Sequence, residues 1–327
     1  MKTTKTTKTT NNMKKIGMLG VLTNLGTRLY SHNAGWTYVT RSILSEKCGQ
    51  EVDIVSNSDD FDQYDVLIIN EGANFKPGVF NFFGGAQDRQ IDALKRFSSY
   101  KGQVLYLNNF ADYTIPCKKR KDLLDYSDLT FPEGKVIDIT KYGESVIVGD
   151  SHSISAWEPG STINRLDGKT LNGALKIGLK NLIPSQAQKY VKFYFGNIDV
   201  RFHFNRFGGL SAIDKLLNEY ERQLIELKNK GYFIKLTHLI PIENESRKIP
   251  GTGKYKGENF FGTQLDRTTY VNYFNQKIDE MSLKNDFKVS KWINLNYEEL
   301  SFDDMESRQS VHLRPSSYMY ANKFIKK

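Results

Sequence analysis

Cysteine is scarce in this chain, and long apolar runs are absent. Two cysteines among 327 residues, Cys48 and Cys117, are too few for a disulfide framework and favour a reducing, cytoplasmic setting. No apolar run approaches the roughly 20 residues of a membrane-spanning helix, so we expect no membrane partner. The N-terminus carries lysines without an apolar segment behind them, which argues against a secretory signal.

The positive charge is concentrated at the N-terminus. The formal net charge is +9, and five lysines before the first predicted strand account for more than half of it. The remaining charge does not demand a nucleic-acid partner. One compact basic run, at 118–121, is the place where nucleic acid would bind, although a solvated loop is the more typical role of such a run. The Lys/Thr repeat predicts a disordered tail over 1–13.

Residues 14–140 predict a first α/β domain. Predicted strands lie at 16–22, 50–55, 66–70 and 104–107, and predicted helices at 36–48 and 86–100. Strand–helix alternation with nearly continuous apolar strands is typical of a Rossmann-like or flavodoxin-like parallel sheet wrapped by helices. The glycines near the first strand lack the dinucleotide-binding spacing, so we expect no nicotinamide and no other cofactor.

The turn into the second predicted strand, Gly-Gln-Glu-Val at 49–52, resembles the N-terminal half of two-domain glycosyltransferases over about 100 residues. That resemblance implies a nucleotide-sugar site in the first domain. A structural or partner-binding role for this domain stands beside it.

Residues 141–327 predict a second domain of the same class. Predicted strands lie at 146–149, 191–195, 232–242 and 288–295, and predicted helices at 211–231 and 266–281, the first opening on a capping box of Ser211 and Asp214. A polar connection at 243–263 is long enough for a lid. Polar candidates follow the strands: Ser151, Asn197 with Asp199, His238, and His312 slightly beyond. Because parallel strands end at one edge of a sheet, we expect a functional site there.

Gly149, Asp150, Ser151 and His152, then Gly168, then Gly-Asn-Ile-Asp at 196–199, then His312, resemble the SGNH (GDSL-like) hydrolases over roughly 145–322. The resemblance implies a serine esterase or acyltransferase with Ser151 as nucleophile and His312 as base. The Ser151 N–H, Gly168 and Asn197 would form its oxyanion hole. These roles are chemically sound, since a serine hydroxyl needs an imidazole base and the oxyanion needs fixed donors.

Two positions depart from the family pattern. The usual motif has asparagine one residue later, and a Gly-Glu-Ile-Asp-x-Arg subgroup is closer to this chain apart from Asn197. Where the family has an aspartate before the histidine, this chain has Gln309. Asp303, Asp304 or Glu306 are the candidates to supply the missing carboxylate, and an impaired site is the alternative.

The predicted substrate contacts are Asp150, His152, Asp199, Arg201 and Trp157. Each has a structural alternative, such as helix capping by Asp150 or Ser151. An Arg201–Asp199 pair is the alternative to anion binding by Arg201. If 199–204 is extended, Asp199, Arg201 and His203 share a face. His203 and His238 are interpreted as structural histidines, so no metal site is predicted.

The substrate expected from these residues is an ester of a saccharide or of another small polar molecule. Two alternatives stay open from sequence: a glycosyltransferase-like transferase using a nucleotide-sugar donor, and a metal-dependent phosphoesterase. A non-enzymatic binding role also stays open because of Gln309. The sequence does not fix the oligomeric state.

Overall fold

The computed structural model describes residues 14–19, 32–55, 59–69, 96–108, 132–138, 143–185, 189–243, 257, 262–297, 300–306 and 310–321. The chain divides into two compact units, one of Met1–Thr27 and Leu44–Asp138 and the other of Arg28–Ile43 and Ile139–Lys327. The predicted tail at 1–13, the basic run at 118–121, Gln309 and nearly all of the predicted lid lie outside the described residues.

The first unit contains a five-stranded, all-parallel sheet. Its strands are β1 (Ile16–Leu19), β2 (Asp53–Val55), β3 (Val66–Ile69), β4 (Gln103–Asn108) and β5 (Gly134–Asp138). Helix α1 spans His32–Cys48, and the division between the units falls within it, after Ile43. The spatial order is β2-β1-β3-β4-β5. The central β3 is buried along its whole length, as expected for an apolar strand covered on both faces.

The second unit contains another five-stranded, all-parallel sheet. Its strands are β6 (Ser145–Gly149), β7 (Ser161–Arg165), β8 (Tyr190–Tyr194), β9 (Phe233–Thr237) and β10 (Lys288–Ser290), and its helices are α2 (Leu171–Ile177), α3 (Asn197–Phe202), α4 (Leu210–Asn229) and α5 (Gln264–Asn285). The order β10-β9-β8-β6-β7, read from the other edge, repeats the order of the first sheet. The predicted fold class of two flavodoxin-like parallel-sheet domains is therefore confirmed.

The capping box of the second unit lies at a different helix from the one predicted. The capping box predicted at Ser211 is wrong: α4 begins after Gly209, which supplies no side-chain cap. The capping box of the second unit instead opens α5, where Thr263 and Asp266 bond each other's backbone N–H groups. Among the described residues, no helix combines the length and the apolarity needed to cross a membrane.

Two glycines let the carboxyl ends of β6 and β8 approach closely. A Cβ on Gly149 would lie 2.3 Å from the carbonyl oxygen of Tyr194, which no side chain can tolerate. Gly196 adopts φ +114°, a left-handed conformation that turns the chain from β8 directly into α3. The residues after β6 and β8 therefore meet at one edge of the sheet.

Candidate active site

Ser151 lies in a tight turn immediately after β6. The turn closes with a hydrogen bond from the Ser153 N–H to the Asp150 carbonyl oxygen at 3.0 Å. The Asp150 carboxylate accepts the His152 N–H at 2.8 Å, so Asp150 shapes the turn from within. Ser151 is the partly exposed residue of this turn, whereas Asp150 and His152 are buried. The turn thus presents the serine hydroxyl at the edge of the sheet.

The Ser151 hydroxyl contacts a distant histidine. Ser151 Oγ lies 2.8 Å from His312 Nε2, a hydrogen-bond distance between residues 161 positions apart. For Nε2 to accept the hydroxyl proton, the neutral ring must carry its hydrogen on Nδ1. This is the ground-state arrangement that a serine nucleophile and its general base require.

Glu306 lies on the Nδ1 side of the His312 ring. Its Oε2 lies 3.8 Å from His312 Nδ1, and it accepts the Ser310 hydroxyl at 3.2 Å. The Glu306 N–H also donates to the His312 carbonyl oxygen at 3.0 Å, which holds the two residues side by side. Burial raises the pKa of the Glu306 carboxyl to about 7, against the opposing effects of Ser310 and the Arg165 charge. Glu306 is the one of the three candidate carboxylates that faces the ring.

The other two candidates are occupied elsewhere or exposed. Asp304 accepts the Ser317 hydroxyl at 2.8 Å, and Asp303 is exposed. Sequence spacing alone did not separate the three, because Glu306 reaches the histidine only through a chain reversal. An antiparallel bridge between Met305 and Leu313 makes that reversal.

His152 ties the serine turn to the histidine loop. Its Nε2 lies 3.0 Å from the Val311 carbonyl oxygen and its Nδ1 lies 3.0 Å from Asp150 Oδ1. Both ring nitrogens therefore face oxygen atoms, one on the serine turn and one on the histidine loop. Because Val311 precedes His312, the His152 ring fixes the histidine loop relative to Ser151.

The loop that carries Gly168 is fixed at both ends. The Leu166 N–H donates to the Gly149 carbonyl oxygen at 2.8 Å, and the Leu171 N–H donates to Asp199 Oδ2 at 2.8 Å. Gly168 itself is exposed with φ +70°. Asp199 is buried, and burial raises the pKa of its carboxyl to about 6, with the nearby Asp150 charge acting in the same direction.

Asn197 and Arg201 share one face of α3, since the segment is helical and not extended. The idea that Asp199, Arg201 and His203 alternate along a strand is therefore wrong. The Arg201 guanidinium pairs with Glu243 at 2.8 Å and with the Asn197 carbonyl oxygen at 2.9 Å. Asp199 is thus not its partner. The Asn197 side chain is fully buried, and its Oδ1 accepts the Ile240 N–H at 3.3 Å.

Trp157 packs below the surface. Its Nε1 donates to the Ser161 carbonyl oxygen at 2.9 Å, and its ring lines a small apolar cavity of about 30 Å³. The residues predicted to contact substrate, Asp150, His152, Asp199, Arg201 and Trp157, are all at most 4% exposed. Their contact with substrate stays a prediction, and the internal partners above describe what they touch in this structure.

The remaining candidate histidines lie apart from Ser151. His238 is buried with its Nε2 3.0 Å from Asp279 Oδ1, and His203 stacks on Phe207 with ring centroids 6.1 Å apart. Within the described ranges, no group of three or more histidine, cysteine, aspartate or glutamate side chains is placed to hold a metal ion.

Comparisons with known proteins find no matching family model and no curated protein of similar sequence. Solved structures do match. A lipolytic protein of the G-D-S-L family from Desulfitobacterium hafniense is 9% identical, with a TM-score of 0.39 over 56% of this chain and 97% of that one. A GDSL-like lipase from Bacteroides thetaiotaomicron is 13% identical, with a TM-score of 0.40 over 54% and 83%.

An acetyl xylan esterase is 15% identical, with a TM-score of 0.37 over 55% of this chain and 96% of that one. These three solved structures are thus a lipolytic protein of the G-D-S-L family, a GDSL-like lipase and an acetyl xylan esterase, and each likeness extends over about half of this chain.

Proposed function

We propose that the second unit is a serine esterase or acyl hydrolase, with Ser151 as nucleophile and His312 as general base. The observation that carries the proposal is the 2.8 Å contact between Ser151 Oγ and His312 Nε2. A hydrogen-bonded serine and imidazole, backed by a carboxylate, is the minimal arrangement for acyl transfer through a covalent intermediate. We propose Glu306 as that carboxylate.

The reaction follows from this geometry. Ser151 Oγ attacks the ester carbonyl carbon while His312 Nε2 takes the hydroxyl proton, and the carbonyl oxygen becomes an oxyanion. The backbone N–H groups of Ser151 and Gly168 are the proposed donors to that oxyanion, with Asn197 as a third, predicted donor. The C–O bond to the alcohol then breaks as the imidazolium returns its proton to the leaving oxygen.

The acyl group is left on Ser151. Water attacks it with His312 again as base, which releases the carboxylic acid and restores the serine. If an alcohol replaces water in this step, the same site performs acyl transfer. In both half-reactions the Glu306 carboxylate stabilises the imidazolium through the 3.8 Å approach of its Oε2 to Nδ1.

The proposed substrate is an ester of a saccharide or of another small polar alcohol. No described contact favours a nucleotide-sugar transferase or a metal-dependent phosphoesterase over this reaction.

The direct test replaces the nucleophile. Ser151→Ala should lower kcat/KM for 4-nitrophenyl acetate by at least about a thousandfold, because only binding and oxyanion contacts remain. The matched control is Ser153→Ala, in the same turn, whose buried hydroxyl has no hydrogen-bond partner among the described residues and should be dispensable for turnover. Unchanged thermal unfolding would show that both variants fold. A fully active Ser151→Ala would refute the proposal.

A further inference from the structure

A second feature of this unit is a large cavity between its helices. It has a volume of about 600 Å³ and lies between α2, the segment after α3, and α4. This volume is within the range of pockets that hold small ligands. Thr170, Asn172 and Asp199 contribute to its wall, so the cavity borders the loop that carries Gly168.

One wall of the cavity is apolar and aromatic. Phe207 is 59% exposed there, which is unusual for a phenylalanine, and its ring stacks on His203 at an interplanar angle of 23°. Leu175 and Leu216 continue this wall. An exposed aromatic face next to polar groups is suited to the apolar face of a sugar ring.

The cavity wall carries two lysines, Lys176 and Lys215, and two carboxyl groups, those of Asp199 and Glu219. Lys176 on α2 and Lys215 on α4 are both exposed, and neither ammonium group has a carboxylate partner among the residues that the structure describes. Glu219 is paired with Arg222, whose guanidinium contacts both Glu219 carboxylate oxygens, at 2.8 and 2.6 Å. Asp199 is buried and accepts the Leu171 N–H. Two cationic groups therefore remain for a ligand.

The hydrogen-bond donors at the start of α2 distinguish a carboxylate from a phosphate. Phosphate groups favour open backbone N–H groups at a helix N-terminus. Here the Leu171 N–H is taken by Asp199, and the Gly173 N–H is taken by the Thr170 hydroxyl at 2.9 Å. The lysine ammonium groups are left as the anion contacts, and the site lacks the open helix N–H groups that favour a phosphate.

Hydrogen bonds at both ends hold the loop that lies between the cavity and the serine turn. Leu166 bonds Gly149 at the end of β6, and Leu171 bonds Asp199 in the cavity wall. The intervening loop, with Gly168, thus separates the cavity from the serine turn.

We infer that this cavity binds the sugar of the substrate, a saccharide that carries a carboxylate, with its ring on Phe207 and its carboxylate at Lys176 and Lys215. This inference rests on the proposed esterase function and narrows its substrate to esters of acidic saccharides. It assigns Lys176, Lys215 and Phe207 to specificity and leaves the chemistry to Ser151 and His312.

The test measures binding separately from hydrolysis. In the Ser151→Ala protein, we expect a galacturonic acid trisaccharide to bind about tenfold tighter than the neutral galactose trisaccharide by titration calorimetry, since two partly solvated ion pairs contribute roughly that factor. Lys176→Gln with Lys215→Gln should remove this preference. Lys288→Gln, at the start of β10, is the matched control and should retain it. Phe207→Ser should weaken the binding of both trisaccharides.

In the Ser151-containing protein, the double lysine variant should turn over 4-nitrophenyl acetate within about twofold of the wild type, because that ester has no carboxylate to bind. Equal binding of both trisaccharides by the Ser151→Ala protein would overturn the inference. An unchanged preference for the acidic trisaccharide in the double lysine variant would overturn it too. Failure of the esterase proposal is seen independently, as undiminished aryl-ester turnover by Ser151→Ala.

Discussion

Replacing Glu306 by glutamine tests how the site stabilises the imidazolium. The substitution keeps the size of the side chain and removes its charge 3.8 Å from His312 Nδ1. At an effective dielectric constant of about 20, two unit charges at that distance interact by about 4 kcal/mol, which is an upper limit for the loss. We therefore expect Glu306→Gln to lower kcat by a hundredfold to a thousandfold at pH 8.

The pH dependence of this loss makes the prediction sharper. Burial raises the pKa of Glu306 to about 7, so the carboxylate is mostly ionised at pH 8 and only about a tenth ionised at pH 6. The ratio of wild-type to variant kcat should consequently shrink severalfold between pH 8 and pH 6. Stopped-flow or steady-state rates on 4-nitrophenyl acetate at both pH values would measure it. A ratio that does not change with pH, or a fully active variant at pH 8, would refute the reasoning.

Ionisation of the Glu306 carboxyl should raise kcat but lower the stability of the folded protein. Its pKa is raised in the folded state, so the folded protein binds the proton more tightly and loses stability as pH rises from about 4.5 to 7. The full loss is about 3 kcal/mol by linkage. Glutamine has no proton to lose, so Glu306→Gln should be more stable than the wild type at pH 8 and comparable to it at pH 4.5. Urea unfolding at the two pH values gives this comparison.

Two further predictions concern residues that hold the site in place. His152→Phe keeps a ring but removes the side-chain hydrogen bonds to Val311 and Asp150. We therefore expect kcat to fall about tenfold to a hundredfold with little change in KM, and His152→Gln to recover part of the loss. An unchanged kcat in His152→Phe would contradict the positioning role. Arg201→Met removes the guanidinium that pairs with the buried Glu243 carboxylate and should lower the free energy of unfolding by about 3–5 kcal/mol. Adding Glu243→Gln should restore part of this free energy; a small loss in urea unfolding, unaltered by the second change, would argue against the pair.

The central strands of the two sheets could be predicted from the sequence. The apolar runs of β3, β6 and β8 predicted strands correctly, because strands buried on both faces must be apolar. The edge strands β5 and β7 were missed. β7 reads Ser-Thr-Ile-Asn-Arg, and a strand at the edge of a sheet needs few apolar side chains, so its pattern does not differ from that of a loop.

Only part of the site could be predicted from the sequence. The motif around Ser151 and the late His312 identified two groups that the fold brings to hydrogen-bond distance. Glu306 was one of three candidates, since sequence spacing does not show the Met305–Leu313 reversal. The partner of Arg201 was predicted wrongly because Gly196 turns the chain into a helix, which points the guanidinium toward Glu243.

The most direct test of the account is covalent labelling of the nucleophile. A fluorophosphonate reacts with a serine only when a neighbouring base activates it. Intact-protein mass spectrometry should show one adduct on the wild-type protein, mapped to Ser151, and far slower labelling in a His312→Ala variant. A protein that stays unlabelled, or a label on any serine other than Ser151, would contradict the proposed site.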